Sequence, residues 1–185
     1  WDIIGNEIVG DADKGVFGVS VSLSGDGKRV ALGTFSNSSG VSQSAQVYDY
    51  NGFTWNQTGQ KLGSGSNSSV ALSPDGLTVA VGSSGSSQGF DTGPERGNVK
   101  VYQFIDGEWD ILGHEILGDV PGDGFGHDVA LAPGRPVLAV GAPFVKRGNV
   151  KVFELNGLSW ERIGDPIVGP GGWSGYSVAV SGDPL

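Results

Sequence analysis

Apolar residues alternate with small polar residues in one stretch near the middle of the chain, residues 69–82, which reads SVALSPDGLTVAVG. Alternation with a period of two is typical of a β-strand that buries one face, and here it occurs on both sides of Pro74-Asp75-Gly76. Proline fixes φ at about −65° and glycine adopts positive φ freely, so this tripeptide favours a tight turn. The stretch therefore predicts a β-hairpin, and its variants at residues 20–33 and 128–141 predict two more.

The hairpin belongs to a longer repeat that opens at a tryptophan. Similar segments begin at Trp1, Trp55, Trp109 and Trp160, which are 54, 54 and 51 residues apart. Each interval contains the hairpin (strands a and b), a VxVY-like strand c, and a tight turn that leads to strand d at the next tryptophan. Four-stranded units repeated at this length are typical of β-propeller blades, so an all-β propeller of antiparallel blades is predicted. The repeats cover approximately residues 1–54, 55–108, 109–159 and, in part, 160–185.

The lengths of the connections distinguish the two faces of the predicted propeller. From the first valine of strand a to the glycine that closes strand b the distance is 12 residues in every repeat, as from Val70 to Gly82. From strand c to the next tryptophan it is 8 residues, as from Val47 to Trp55. The d–a and b–c links vary in length. Since variable loops on a rigid scaffold commonly carry binding residues, recognition is expected on the face that these links share.

The position of the repeats in the chain predicts an incomplete set of blades. The sequence begins in a strand d and ends just after a strand a at residues 177–181. This arrangement gives three whole blades with an orphan strand at each end, whereas closed propellers have about four to eight blades. We therefore expect the chain to be a segment of a larger propeller.

Composition narrows the classes of function. Glycine accounts for 34 of the 185 residues and charged residues for 17%, which favours short strands and tight turns, and there is no cysteine for a disulfide. The formal net charge of −9 argues against a nucleic-acid partner, which requires a basic patch. The two basic pairs, Lys28-Arg29 and Lys146-Arg147, are expected to solvate loops. No apolar run reaches the roughly 20 residues of a membrane span.

Two short motifs suggest a family. Phe17-Gly18 and Phe125-Gly126 lie just before strand a, and Gly141-Ala142-Pro143 closes strand b of the third repeat. The whole chain resembles the FG-GAP-like repeats of integrin-α-type propellers, above all those of large secreted or surface proteins, although the remaining repeats lack one or both motifs. The resemblance implies a calcium loop of the DxDxDG type in the a–b hairpin, but the hairpins here carry a single aspartate, Asp26 or Asp75, or none.

Acidic residues in the d–a links are the remaining metal candidates. Two lie in GDADKG and two in GDVPGDG: Asp11, Asp13, Asp119 and Asp123. Paired carboxylates with backbone carbonyls can hold a weak Ca²⁺, but acidic turn residues that bond their own backbone are the commoner arrangement. The only histidines, His114 and His127, have no partner at ligand spacing and are expected at the surface or in turns. No other cofactor is expected.

Two residues that break the repeat are candidates for binding. Trp173 lies outside the tryptophan pattern in the glycine-rich link GPGGWSGY, whereas the recurring tryptophans are expected to cover a blade edge or to pack between blades. Asp128 stands where the other repeats have Ser20, Ser69 and Ser177. Either residue would contact a partner from the loop face.

Three N-x-S/T sequons indicate a secreted glycoprotein. Asn37 lies in a b–c loop and Asn67 in a d–a link, while Asn56 follows the tryptophan of an outer strand d. All three positions are expected to be exposed, which N-glycosylation requires. We therefore expect an extracellular or cell-surface location.

These observations leave three functions open. The first is a non-catalytic extracellular module for binding, adhesion or structure, which contacts protein or polysaccharide through its loops and can form part of a larger assembly. The second is an enzyme of the glycosidase or lyase kind, for which Asp128 is the one carboxylate that breaks the repeat. The third is an intracellular WD40-like scaffold, because ALSPDGLTVAVGSSG followed by VKVYQF resembles such blades.

Overall fold

The computed structural model describes residues 2–10, 16–35, 45–63, 68–85, 96–144 and 147–182. These residues contain β-strands and no helix. Blade 1 has β1 (Val16–Leu23), β2 (Arg29–Phe35), β3 (Gln46–Tyr50) and β4 (Trp55–Gln57). Blade 2 has β5 (Ser68–Leu72), β6 (Thr78–Ser83), β7 (Asn98–Ile105), β8 (Glu108–Ile111) and β9 (Ile116–Leu117). Blade 3 has β10 (Val129–Leu131), β11 (Val137–Ala142), β12 (Asn149–Asn156), β13 (Ser159–Arg162) and β14 (Ile167–Val168).

Each blade is a separate antiparallel sheet whose strands pair in chain order. Blade 1 has the order β1-β2-β3-β4, and blades 2 and 3 repeat it as β5-β6-β7-β8 and β10-β11-β12-β13. The short strands β9 and β14 return to pair with β7 and β12. Strand a of blade 2, β5, contacts the strands a of both neighbouring blades, β1 and β10, and the three form the inner edge. The predicted fold class is therefore confirmed: the chain is all-β, and each antiparallel propeller blade has a path of four strands, to which blades 2 and 3 add the short β9 and β14.

The hairpin turns are stabilised by their aspartates. In blade 1, the backbone N–H of Lys28 donates to Asp26 Oδ1 at 3.0 Å, and the Ser24 hydroxyl donates to the same oxygen at 2.7 Å. These two bonds, the one from Lys28 first, hold the pKa of Asp26 below its usual value. In blade 2, the N–H of Leu77 donates to Asp75 Oδ1 in the same way, at 2.9 Å. The carboxylates thus fix the turn in the manner of an Asx turn.

The hydrophobic core lies between the blades, since a four-stranded sheet has to bury its faces against its neighbours. One cluster joins blades 1 and 2 and includes Val47, Leu62 and Val79, and the next joins blades 2 and 3 and includes Phe125 and Leu138. All five of these side chains are buried. The segment after strand d carries Leu62 back to strand c through its bridge to Ala45.

The recurring tryptophans pack between consecutive blades. The indole Nε1–H of Trp109 donates to the carbonyl of Thr58 in blade 1 at 3.1 Å, and that of Trp160 donates to Leu112 in blade 2 at 2.8 Å. The glycine four residues after each preceding tryptophan makes room for the ring. A Cβ at Gly59 would lie 2.5 Å from Cδ1 of Trp109. The WxxxG spacing therefore encodes a contact between blades.

In the basic pair Lys28-Arg29, the role of Arg29 differs from the one expected from the sequence. Arg29 does not solvate a loop but forms a bidentate pair with Asp49 of its own blade, with Nη2 2.7 Å from Oδ2. Its guanidinium also donates to the Gly76 carbonyl of blade 2 at 2.8 Å and lies 4.3 Å from the centroid of the Phe104 ring. Burial raises the pKa of Asp49, but the bonds from Arg29 and Thr58 hold it below its usual value. Lys146 lies outside the described residues, and Arg147 is exposed.

The two end segments have no ladder partner among the described residues. Residues 2–10 and 175–182 are not assigned as strands. A strand a pairs with the strand b that follows it, and a strand d pairs with the strand c that precedes it, as in the three blades. The segment at 176–182 is nevertheless placed beside blade 3, because the N–H of Val178 donates to Asp128 Oδ2 at 2.8 Å.

Candidate functional site

A cleft opens where the strands a begin, on the face of the d–a and b–c links. Its volume is about 380 Å³. We call it the inner cleft, and it is lined by residues from blades 1, 2 and 3 and from the final segment: Val19, Ser20, Ser69, His127, Asp128, Tyr176 and Ser177. The cleft therefore lies on the face on which recognition was expected from the variable link lengths.

A repeated hydrogen bond builds the floor of this cleft. The Ser20 hydroxyl oxygen accepts from the N–H of Val70 at 3.1 Å, and the Ser69 hydroxyl oxygen accepts from the N–H of Val129 at 3.2 Å. Asp128 takes the same role toward Val178 of the final segment. Ser20, Ser69 and Asp128 thus each position the equivalent segment of the next repeat.

The side chain of Asp128 accepts three hydrogen bonds. Oδ1 accepts from the Ser69 hydroxyl at 3.0 Å and from the N–H of Val129 at 3.1 Å, and Oδ2 accepts from the N–H of Val178 at 2.8 Å. Three donors and no acceptor are the environment of an ionised carboxylate. The side chain is partly exposed, so its charge faces the cleft.

A row of aromatic rings extends from the cleft toward the link that carries Trp173. The Trp173 and Tyr176 rings stack with centroids 5.7 Å apart, and Tyr176 contacts His127 at 4.5 Å. The His127 ring also meets Phe144 edge-on at 5.0 Å. Trp173 is 54% exposed and Tyr176 49% exposed, so the outer half of the row is accessible. The structure thereby joins Trp173 and Asp128, which sequence reasoning had selected separately, into one surface.

His127 is a residue of this site that sequence reasoning did not select. Burial lowers its pKa, although the neighbouring Asp128 raises it. Its Nδ1 is buried and has no hydrogen-bond partner among the described residues. The signal in the sequence was its position directly before Asp128, but the contacts with Phe144 and Tyr176 join distant parts of the chain. The other histidine, His114, is exposed.

The acidic pair of the third d–a link surrounds a lysine. Nζ of Lys151 lies 2.9 Å from Asp119 Oδ2 and 4.0 Å from Asp123 Oδ2, and 5.0 Å from the centroid of the Phe125 ring. The bond from Lys151 holds the pKa of Asp119 below its usual value. Asp123 is buried and its Oδ1 accepts from the N–H of Phe125 at 2.9 Å. An internal ammonium thus occupies the space between the two carboxylates.

The remaining candidates are separated from the inner cleft or are not described. Asn56 is exposed on β4, and its amide donates to the Thr54 carbonyl at 3.2 Å. Four further candidates lie outside the described residues: Asp11, Asp13, Asn37 and Asn67. Within the described ranges, no group of three or more potential metal ligands occurs. The same ranges contain no helix that is long and apolar enough to cross a membrane.

Comparison with known proteins shows the fold of the chain but does not assign the chain to a family. No family model and no curated protein matches the chain. A chain of the complex of KlAtg21 with the coiled coil of AgAtg16 is similar with a TM-score of 0.52 and 17% identity, over 79% of this chain and 43% of that chain. A candidate 6-phosphogluconolactonase from Bacteroides uniformis is similar with a TM-score of 0.52 and 16% identity, over 78% of this chain and 39% of that chain.

The chain therefore spans about two fifths of the length of these two solved chains. At such low identity the likeness concerns the fold alone. The class defined by the structure is a set of propeller blades that carries a polar cleft at its inner edge and aromatic rings beside it.

Proposed function

We propose that the chain is a non-catalytic binding module that recognises a protein partner with the inner cleft and the aromatic rings beside it. The observation that carries this proposal is the continuity of Asp128, His127, Tyr176 and Trp173 on the variable-loop face. Clefts with a few polar groups and adjoining exposed aromatic side chains are typical binding surfaces. The fixed hairpin turns lie on the opposite face, where link lengths do not vary.

Binding is favoured over glycoside chemistry by the number of carboxylates. Glycosidases ordinarily use two carboxyl groups about 5–9.5 Å apart. Asp128 is the one carboxylate among the residues that line the cleft. Its oxygens already accept three hydrogen bonds that position strands. The 6-phosphogluconolactonase likeness concerns the fold only, so it adds no catalytic residue to this chain.

A protein partner fits the comparisons better than a polysaccharide. One similar structure is a complex with a coiled coil, which gives an example of protein binding by a chain of related fold. The row of rings in this chain adjoins the charged Asp128 and the serine hydroxyl groups of the cleft, and its rings do not all stack face to face. Mixed aromatic and charged surfaces of this kind are common in protein interfaces.

The finer proposal is an FG-GAP-like repeat protein of the secreted or surface kind. Phe125 of the Phe-Gly motif is fully buried, and the following Gly126 has a φ of +84°. Positive φ values also occur at Gly18 and Gly175, the equivalent positions of the first and last repeats, and this backbone conformation favours glycine. N-glycosylation of Asn56, which is exposed, would support an extracellular location and exclude the intracellular scaffold.

Site-specific crosslinking tests the binding surface. A photoreactive phenylalanine analogue at Trp173 is expected to capture one partner from cells that produce the protein. The same group at Phe53 or Leu158, which are 84% and 77% exposed in turns of the opposite face, is expected to capture nothing. Capture from the turn positions alone, or equal capture from all three, would overturn the proposal.

Intact mass tests the location. The protein secreted from a eukaryotic host is expected to lose mass on treatment with an N-glycosidase, and Asn56→Gln is expected to remove one glycan. A secreted protein with the mass of the bare polypeptide would contradict the glycoprotein proposal.

A further inference from the structure

We propose that the inner cleft receives a basic side chain, an arginine or a lysine of the partner, and that Asp128 is its charge partner. This inference rests on the proposed binding function and names the chemistry of the group that is recognised. It derives from three features of the cleft: a charge that packing does not require, an unfilled acceptor site, and the lack of a cation paired with Asp128 among the described residues.

The charge of Asp128 exceeds what its structural role needs. Ser20 and Ser69 accept the equivalent N–H bond from the next repeat with a neutral hydroxyl. A serine at position 128 would therefore fix the final segment in the same manner. The carboxylate adds a negative charge at the mouth of a cleft, where a single charged group commonly orients a ligand.

The carboxylate also has room for one more donor. An ionised carboxylate offers about four acceptor sites on its two oxygens. Oδ1 of Asp128 accepts two bonds and Oδ2 accepts one, from Val178. One site on Oδ2 is therefore open to an N–H of an incoming guanidinium or ammonium group.

Asp128 has no ion pair within the described ranges, in contrast to other acidic side chains of the blades and their links. Several of these have a cation close by: Asp49 with Arg29, Glu115 with Lys100, and Asp119 and Asp123 with Lys151. The neighbouring His127 does not supply the cation at neutral pH, because burial lowers its pKa. The partner of this charge is thus expected to come from another molecule.

The size and surroundings of the cleft suit a side chain. Its volume of about 380 Å³ exceeds what a few waters require and falls in the range of ligand pockets. The exposed Tyr176 ring and Val19 offer apolar contact to the methylene groups of a long basic side chain. The formal net charge of −9 further attracts cationic partners over a distance. A bare divalent cation fits less well, because Ca²⁺ takes six to eight oxygen ligands and the cleft has one carboxylate.

Amide NMR spectra of the isotopically labelled 185-residue chain test the inference, with Nα-acetylarginine amide as the probe. The N–H signals of Val129 and Val178 are expected to shift on titration, since both groups donate to Asp128. The uncharged Nα-acetylcitrulline amide serves as the matched probe and is expected to leave them in place. Asp128→Asn keeps an acceptor oxygen and is expected to weaken binding about tenfold or more. Asp75→Asn, which changes a turn carboxylate of the opposite face, is expected to leave it unchanged.

Equal shifts with arginine and citrulline, or a response to Ca²⁺ without a response to arginine, would overturn the inference. The comparison of the two probes on the unaltered protein decides the matter even if Asp128→Asn does not fold. Crosslinking from Trp173 without arginine binding would refute the basic side chain and leave the binding function standing. Arginine binding without any crosslinked partner would support recognition of a basic group and contradict the proposed protein-binding function.

Discussion

Single side chains connect one blade to the next through hydrogen bonds to its backbone. Arg29 joins Asp49 of blade 1 to the Gly76 carbonyl of blade 2, and its guanidinium lies over the Phe104 ring. Gln60 exchanges two hydrogen bonds with the backbone of Trp109, at 2.7 and 3.0 Å. Such directional contacts fix the relative position of two blades more specifically than hydrophobic packing alone does.

Lys151→Met is expected to destabilise the chain by about 3–5 kcal/mol, because it leaves the buried Asp123 without its cation. The matched control is Lys100→Met, at the equivalent position of blade 2. Lys100 lies 3.6 Å from Glu115 with 25% of its side chain exposed, so the loss is expected to stay below about 1 kcal/mol. Urea unfolding measures both, and adding Asp123→Asn to Lys151→Met is expected to recover part of the loss. Equal losses for the two lysines would contradict this account.

The stability of the chain is expected to fall as the pH decreases below about 6.5, in part because of His127. Burial lowers its pKa from the ordinary value of 6.5. Between the folded pKa and 6.5 the unfolded chain binds more protons, so the free energy of unfolding rises with pH there. His127→Phe keeps the ring contacts with Phe144 and Tyr176 and is expected to reduce this slope. His114→Gln, at the exposed histidine, is expected to keep it, and identical slopes for both variants would refute the assignment.

At the scale of the element, the hairpin could be predicted in detail from the sequence. Its alternation, its turn residues and its spacing are all local, and the Asp26 turn forms as the residue types suggest. The inner cleft could be predicted only in part. Asp128 could be recognised in the sequence as a break in the repeat. Its neighbours His127 and Tyr176 are 49 residues apart in the chain, so their contact could not be predicted from local sequence. The role of Arg29 was missed for the same reason, since Asp49 lies 20 residues away in the chain and Gly76 belongs to the next blade.

The glycine that closes strand b is explained by the approach of the next blade. A Cβ at Gly82 would lie 2.3 Å from the carbonyl oxygen of Gly126, and one at Gly141 would lie 1.9 Å from that of Gly175. Backbone of one repeat thus rests on a glycine of the repeat before it. This contact accounts for the constant distance of 12 residues from Val70 to Gly82, because the glycine has to face the link before the next strand a.

Gly82→Ala is therefore expected to lower the free energy of unfolding by about 1–3 kcal/mol or more, as overpacking against rigid backbone does. Gly171→Ala is the control, because a Cβ there meets nothing within 4 Å and its φ is not positive. It is expected to change stability by less than about 0.5 kcal/mol. Thermal and urea unfolding of both variants measure the difference. A Gly82 variant as stable as the Gly171 variant would show that the blades can separate at this point without loss.

At the scale of the whole molecule, equivalent residues of successive blades have very different surroundings. Val70 and Leu72 of β5 are 5% and 7% exposed, because they face blade 1. Their counterparts in β1, Val21 and Leu23, are 60% and 55% exposed. The inter-blade interface is thus formed twice among the described blades, and the side of β1 that carries Val21 and Leu23 is exposed in the described structure.

This difference predicts how two identical substitutions will act. Val70→Thr places a hydroxyl in a buried interface and is expected to lower the free energy of unfolding by about 1–3 kcal/mol. Val21→Thr places it in solvent and is expected to change stability by less than about 0.5 kcal/mol. Both are measured by urea unfolding of the 185-residue chain at several protein concentrations. A loss at Val21 that equals the loss at Val70 would mean that the open side of β1 is covered in solution. If that loss also varies with protein concentration, the cover is a second copy, since association makes stability depend on concentration.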